Sequence, residues 1–433
     1  METRQQQIPE KAYLVGWVQT RRGRIIANYD PEESLEELHE LVSSAGAQIV
    51  GSVLQRTPEG DAATLVGRGK AREICAEARA AHANVIIFDH DLTPTQLRNL
   101  ESVLHSKVID RTQLILDIFA RRARSREGQL QVELAQLTYL LPRLSGRGSR
   151  LSRLGGGIGT RGPGEQQLEF DRRRIRTRIQ RLVQSIAKVR SERSLHRAHR
   201  REQQFLTVAL VGYTNAGKST LFNALTQARV STSNRLFVTL DPTVRAIQLP
   251  SHRQALLSDT VGFIRKLPPH LVAAFQATLE ELEGASLLVQ VMDASHSQRA
   301  QHEATVEQLL ETLGLTGTPR LLVWNKIDLL DEASRARLPK GPTYAAVSAI
   351  TGEGFPALLE AIDRALEEDP IVEGEFEFSA GDGERLALLH RAGNVLSTEY
   401  RDNRVMVRAR LTKSLRERLE SESNSRVSLL VHK

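Results

Sequence analysis

Cysteine is nearly absent: Cys75 is the single one among 433 residues. One thiol cannot build an internal disulfide framework or a thiolate metal cluster. Its surroundings, KAREICAEA, read as a helix that buries a small apolar side chain. Long apolar runs are missing too. None approaches the roughly 20 residues that a membrane-crossing helix needs, and the polar start METRQQQIPEK carries no secretory pattern. The expectation is a cytoplasmic, monomeric protein. With 40% apolar and 26% charged residues the composition is that of an ordinary globular protein, and the length suits about three domains.

Charge is present but unevenly placed. Residues 143–203 hold 17 Lys or Arg against five acids, a net +12, which leaves the rest of the chain at −5 within an overall +7. A polycation joined to mildly acidic domains points at a phosphate-rich partner. Two heptad-like runs flank its centre: Leu130, Leu134, Leu137, Leu141 and Leu144, then Ile175, Ile179, Leu182, Ile186 and Val189. Each lays an apolar stripe along one helix face. Pro142 should kink or end the first helix, and the second can run for some 35–40 residues, about 55–60 Å. Between them, 145–164 is too rich in glycine to be helical, so an antiparallel helical hairpin with this loop at its tip is expected. The tip and its flank hold five arginines (Arg143, Arg147, Arg150, Arg153, Arg161), and the tip has no acid and no aromatic. That favours contact with phosphates or a folded RNA surface over base stacking.

Before the hairpin, apolar runs at 12–18, 47–54 and 84–89 read as short strands, and 31–43, 69–82 and 93–104 as helices. Asp30-Pro31 and Thr93-Pro94 are helix-start signals. The alternation predicts an α/β domain over 1–112. Within it, Gly67-Arg68-Gly69-Lys70 reads as a tight strand-to-helix turn, with a second anion site as the weaker alternative. After the hairpin (113–203), strands are expected at 206–211, 245–248, 254–258, 286–292, 320–324 and 343–347, forming a nucleotide domain over 204–368. Pro370 marks a boundary to a small α/β domain, 369–433. There EFEF, RVMVRAR and VSLLV read as strands, and ERLALLHRAGNVL and LTKSLRERLE as helices.

The chemistry concentrates in 212–220. Gly212, Tyr213, Thr214, Asn215, Ala216, Gly217, Lys218, Ser219 and Thr220 follow the apolar run LTVALV and fit G-x-x-x-x-G-K-[ST]. Such a loop turns backbone N–H groups inward around the β-phosphate, Lys218 carries charge to the β- and γ-phosphates, and the Ser219 hydroxyl ligates Mg²⁺. The helix expected behind it adds its N-terminal dipole.

Further segments follow in order. Asp259-Thr260-Val261-Gly262 fits D-x-x-G, where the carboxylate holds Mg²⁺ through water and the glycine N–H meets the γ-phosphate. Asn325-Lys326-Ile327-Asp328 fits N-K-x-D. Asp328 can accept from guanine N1–H and the exocyclic amine, a donor pair that adenine lacks. Ser348, Ala349 and Ile350 supply backbone near the guanine O6. Between the first two motifs, Phe237, Val238, Thr239, Leu240 and Asp241 offer the threonine that coordinates Mg²⁺ and senses the γ-phosphate. Five motifs in order predict a GTP site with Lys218, Thr239 and Gly262 at the chemistry. An ATPase reading would leave N-K-I-D unexplained.

With these residues the chain resembles the HflX family, ribosome-associated GTPases related to the Obg group. The resemblance rests on GYTNAGKST (212–220), FVTLDPT (237–243), DTVGF (259–263) and NKID (325–328), and above all on GGGIGTRGPGEQQLE (155–169). It covers nearly the whole chain and implies Mg²⁺ at Ser219 and Thr239. It also implies binding of the large ribosomal subunit through the basic hairpin, and nucleotide-dependent separation of stalled or idle ribosomes under stress. Two positions depart from the family pattern: Gln166 stands where GETQLE has threonine, and FVTLD replaces FATLD. Other readings are a GTP switch in another RNA process, such as subunit maturation or tRNA modification, and an added ATP-driven RNA remodelling by the N-terminal domain around Gly67–Lys70.

Phe263 follows Gly262, where Ras-like GTPases place a water-orienting glutamine. A phenyl ring cannot hydrogen-bond, so slow hydrolysis is expected until a partner completes the site.

Overall fold

The structure, a computed structural model, describes residues 9–421 apart from 23, 27–28, 145–162, 203–205, 227–235, 238–242, 266–281, 283, 369–370, 380, 382 and 402–403. Two compact units result: 1–187 with 235–237 and 267–274, and the remainder of the chain.

The first unit is built on a mostly parallel sheet. Strands β1 (Lys11–Arg21), β2 (Arg24–Ile25), β3 (Gln48–Thr57), β4 (Val85–Phe88) and β5 (Lys107–Asp110) alternate with helices α1 (Pro31–Ser44), α2 (Arg68–Ala80) and α3 (Pro94–Leu104). The parallel order is β3-β1-β4-β5, with β2 antiparallel on β1. The helix starts come from the expected caps. Asp30 accepts from the Glu32 N–H, and Thr93 forms a capping box with Gln96 behind Pro94. Ile74, Cys75, Ile86, Phe88 and Leu100 form the core between sheet and helices. Cys75 is buried, as its helical setting implies. At Gly67–Lys70, α2 starts at Arg68 and the Lys70 ammonium pairs with Glu73 at 2.9 Å. Gly67 is the N-cap of α2 at φ 80°. Ten residues separate the helix from the end of β3 at Thr57, so the segment is a helix start at the end of a loop rather than the tight strand-to-helix turn expected.

Helices α4 (Arg111–Arg122) and α5 (Arg126–Leu140) follow, and a 3-10 turn, Leu141–Leu144, ends the second of them around Pro142. The expected edge at 112 falls in the first turn of α4. On α5 the buried face is not the leucine stripe. Glu127, Gly128, Gln131, Val132, Ala135 and Tyr139 are buried, while Leu130, Leu134 and Leu137 are half-buried. Helix α6 (Pro163–Glu202) has 40 residues, and its apolar stripe does point inward, with Leu182 and Ile186 buried. Arg178 of α6 donates through Nε and Nη2 to both oxygens of Glu133 on α5, at 2.7 and 2.8 Å. Pro163 and Gly164, expected in the tip loop, are the first residues of α6; the rest of the loop lies outside the described residues.

The second unit carries a six-stranded sheet of β6 (Leu206–Val211), β7 (Thr243–Gln248), β8 (Gln254–Asp259), β9 (Leu287–Asp293), β10 (Arg320–Asn325) and β11 (Tyr344–Ala346), in the order β11-β10-β9-β6-β8-β7. Only β7 is antiparallel among them. Helices α7 (Lys218–Thr226), α8 (Arg299–Thr312), α9 (Glu332–Ala336) and α10 (Phe355–Glu368) connect the strands. Val208, Leu210, Phe222, Leu257, Val289 and Val323 are among the fully buried residues of its core. A separate antiparallel sheet, β12 (Ile371–Ser379), β13 (Asn394–Arg401) and β14 (Arg404–Thr412), pairs in the order β12-β14-β13 and packs with α11 (Gly383–Ala392) and α12 (Lys413–Ser421). The expected helix through GNVL stops at Ala392, because Gly393 ends it and Asn394–Arg401 continues as a strand. The expected strand VSLLV lies outside the described residues. Among the described residues no helix is long and apolar enough to cross a membrane.

Candidate functional site: a phosphate loop and its strand-end partners

Strand β6 ends at Val211 and a six-residue loop, 212–217, leads into α7, with Gly212 at φ 148°. A Cβ there would lie 2.2 Å from the Val291 carbonyl oxygen, so only glycine lets the loop leave β6 beside β9. Lys218 opens α7, is buried, and donates from Nζ to the carbonyls of Gly212 (3.0 Å) and Tyr213 (2.8 Å). These bonds fold its ammonium back along the loop. Burial pulls the Lys218 pKa down to about 8, against the opposing pull of Asp259. Thr214 and Ala216 are buried, Asn215 is exposed, and Gly217 and Thr220 are half-buried.

The neighbouring strand β8 delivers Asp259, fully buried, whose Oδ2 accepts from the Ser219 hydroxyl at 2.7 Å. A hydroxyl oxygen and a carboxylate oxygen this close are the hard donors a Mg²⁺ ion takes, directly or through water. Thr260 turns its hydroxyl to the Leu210 carbonyl at 2.6 Å. Val261 is buried, and Gly262 approaches the loop so closely that a Cβ on it would sit 3.1 Å from Lys218 Nζ.

On the other side of β6, Asn325 ends β10 and ties two loops together. Its Nδ2 donates to the Ala216 carbonyl at 2.8 Å, and its Oδ1 accepts from the Ala349 N–H at 3.0 Å. Lys326, in the left-handed region at φ 64°, pairs with Asp293 at 2.6 Å. Asp293 stands beside Asn325 in the β9–β10 register. Its carboxyl is held below the usual range despite burial, through the bonds from Lys326 and Ser295. Ile327 is buried. The Asp328 Oδ1 is buried with no hydrogen-bond partner among the described residues, an acceptor waiting for a donor. Ser348 and Ala349, just past β11, are buried, whereas Ile350 is 79% exposed, so that position can offer only backbone to a buried base.

Of the segment 237–241, Val238, Thr239, Leu240 and Asp241 lie outside the described residues. Phe237 belongs to the first unit, where its ring meets Phe119 edge-on at 4.6 Å and the neighbouring Leu236 N–H donates to Ser44 Oγ at 2.8 Å. The Phe237 ring is therefore a packing group. Asp293 was not anticipated, although an acid at the end of an apolar strand one register away from N-K-x-D is a readable signal. The side chains of Tyr213 and Arg265 were missed as well.

A glycine-led loop behind a central strand, with D-x-x-G and N-K-x-D at the ends of flanking strands, defines a P-loop GTPase. Family models described as "GTP-binding GTPase N-terminal", "GTP-binding GTPase Middle Region" and "50S ribosome-binding GTPase" match residues 32–120, 122–200 and 207–326. GTPase HflX of Caldanaerobacter subterraneus subsp. tengcongensis is 46% identical over 399 residues, 92% of each chain, and GTPase HflX of Escherichia coli is 47% identical over 77% of this chain and 79% of its own. A GTP-binding protein of Sulfolobus solfataricus, solved with GDP, aligns with 83% of this chain and 99% of its own at 24% identity, but its TM-score is only 0.43. The chain belongs to the HflX GTPase family, and it binds and hydrolyses GTP.

Proposed function

We propose that this GTPase grips the large ribosomal subunit through its basic helical segment, and that its nucleotide state sets how firmly it holds. The observation that carries this reading is the concentration of charge: 17 Lys or Arg against five acids over 143–203 in a chain whose remainder is acidic. On α6, Arg173, Arg174, Arg176 and Arg181 are exposed and available to phosphates. The family model described as "50S ribosome-binding GTPase" supports the choice of partner. The reading divides the chain into 1–112, a basic hairpin 113–203, the GTPase domain 204–368 and 369–433, and it puts the protein in the cytoplasm.

In this reading Asp328 selects guanine, Lys218 and the loop backbone hold the phosphates, and Ser219 with Thr239 holds Mg²⁺, Asp259 acting through water. The ion, when bound, neutralises charge on the β- and γ-phosphates. Gly262 and Thr239 meet the γ-phosphate and are released when it leaves. Differential contact with the subunit in the two states then does the work of separating stalled or idle ribosomes under stress. Because Phe263 cannot orient water, the bound subunit must complete the site, an effect that reaches about 10³–10⁵ in rate when help comes in trans.

Pelleting with purified large subunits tests the reading. Tight binding is expected with a non-hydrolysable GTP analogue and weak binding with GDP. Equal binding in both states, or ribosome binding that survives deletion of 145–164 undiminished, contradicts it. Unchanged single-turnover hydrolysis on adding subunits contradicts the completion step.

A further inference from the structure

The end of β8 and the segment after it are laced to the phosphate loop and the start of α7 at three levels. Asp259 is tied by the Ser219 hydroxyl. Phe263 pairs with the loop as an isolated parallel bridge: its N–H donates to the Gly212 carbonyl at 3.0 Å, and its carbonyl accepts from the Thr214 N–H at 2.7 Å. The third tie is a side chain. The Tyr213 hydroxyl accepts from the Arg265 N–H at 3.0 Å, with Arg265 Nε at 3.4 Å. Tyr213 and Arg265 are 6% and 7% exposed, so water competes weakly for this bond.

The tyrosine ring is itself fixed. It lies flat on the His302 imidazole of α8, with centroids 3.8 Å apart and planes 5° from parallel. His302 in turn contacts His296 at 4.4 Å. Burial, with His296 and Arg265 nearby, lowers the His302 pKa to about 3, so the imidazole is neutral and the stack carries no charge at neutral pH.

The geometry points to Tyr213 as a positioning residue for hydrolysis, one that fixes the Gly262–Arg265 backbone against the phosphate loop through its hydroxyl while His302 holds its ring. Backbone placement matters more here than in a glutamine-bearing GTPase. Phe263 brings no polar side chain to the reaction, so at the position after Gly262 only backbone groups can orient water, and reacting geometry tolerates little drift. The Tyr213 backbone serves ground-state binding through its carbonyl bond to Lys218, which a side-chain change leaves in place. Removing the hydroxyl should therefore slow the chemical step and spare nucleotide affinity.

This inference rests on the reading that Gly262 faces the γ-phosphate. The test uses the full chain with GTP and Mg²⁺, comparing single-turnover hydrolysis with GDP and GTP-analogue affinities. Tyr213→Phe is expected to lower the rate by about five- to tenfold with affinities within about twofold, since only a positioning bond is lost. His302→Ala should lower the rate likewise, His302→Phe should keep it by preserving the stack, and the double variant Tyr213→Phe/His302→Ala should fall no further than the worse single. A Tyr213→Phe rate within about twofold of the parent overturns the proposal, as does a rate loss matched by an equal loss of GDP affinity. Gly262→Ala separates the underlying reading from this one. Its Cβ would crowd Thr214 at 2.8–2.9 Å, and hydrolysis that survives it unchanged removes the assignment of Gly262 itself.

Discussion

The molecule contains two largely parallel sheets that use their strand ends in opposite ways. In the first unit, Asp89 just past β4, Asp110 at the end of β5 and Arg111 just past it stand at the edge where open α/β sheets commonly take ligands. There the charges are matched to one another. The Arg111 guanidinium bonds Asp89 and Glu37, each at 2.6 Å, and Asp89 also accepts from Ser34. Asp110 accepts from the Tyr139 hydroxyl at 2.5 Å and pairs with Arg143 at 3.1 Å. In the second unit, the same edge carries a glycine-led loop, Lys218 whose ammonium bonds the Gly212 and Tyr213 carbonyls, and an Asp328 oxygen with no hydrogen-bond partner among the described residues. A strand end becomes a binding site where its polar groups are held in place but left unsatisfied. Where they satisfy each other, the same edge becomes structure.

The sharpest way to break this contrast is at Asp328. Asp328→Asn leaves shape almost unchanged but replaces an acceptor by a donor at the position proposed to face guanine. GTP affinity should fall by about 10²-fold or more, in line with the penalty for unpairing a buried recognition group. Xanthosine triphosphate, whose 2-oxo group accepts, should bind the variant better than GTP does. Competition binding with both nucleotides checks the outcome, and an unaltered GTP preference would remove Asp328 from base recognition.

The matched edge should respond in stability instead. Arg111→Met strands two buried carboxylates, and losing one side of a buried charge cluster costs about 3–5 kcal/mol. Denaturant unfolding of the first unit should shift by that order. GTP affinity, measured below the transition, should stay where it was. A variant that unfolds normally but binds GTP poorly would show that the edge does more than hold the unit together.

What the sequence disclosed follows the same division. The nucleotide motifs were legible because phosphate and guanine chemistry fixes residue types at strand ends, and the fold brings Gly212–Ser219, Asp259, Asn325 and Ser348–Ala349 to neighbouring strand ends of one sheet. The α6 stripe was legible because Leu182 and Ile186 answer a helical period. The α5 stripe misled: its buried face includes Glu127 and Gln131, bonded to each other at 3.2 Å, and a polar pair is invisible to an apolar pattern. Strand β5 and helix α4 escaped because Asp110 is both the last strand residue and the helix cap, leaving no turn residue to mark the change. The Tyr213–Arg265 bond spans 52 residues, and no local pattern encodes it.

The mildest effect separates the two edges by pH. Burial opposes the charge of Arg111 as well, but Glu37 and Asp89 outweigh it and raise its pKa above the ordinary arginine value, so the matched cluster keeps its charge throughout the working range. Lys218 has only Asp259 to offset its desolvation, and its pKa falls to about 8. The sign follows directly. Below about pH 8 the ammonium is charged and ready for phosphate; above it, binding must first restore the proton, which the phosphate charge would draw back. GDP affinity should therefore be flat from about pH 6.5 to 7.5 and then weaken, approaching tenfold per pH unit, with proton uptake appearing on binding. Calorimetry in buffers of different ionisation enthalpy reads that uptake. A flat profile to about pH 9.5 would mean that the Lys218 ammonium is as well matched in the free loop as Arg111 is in its cluster, and the contrast between the two edges would lose its electrostatic half.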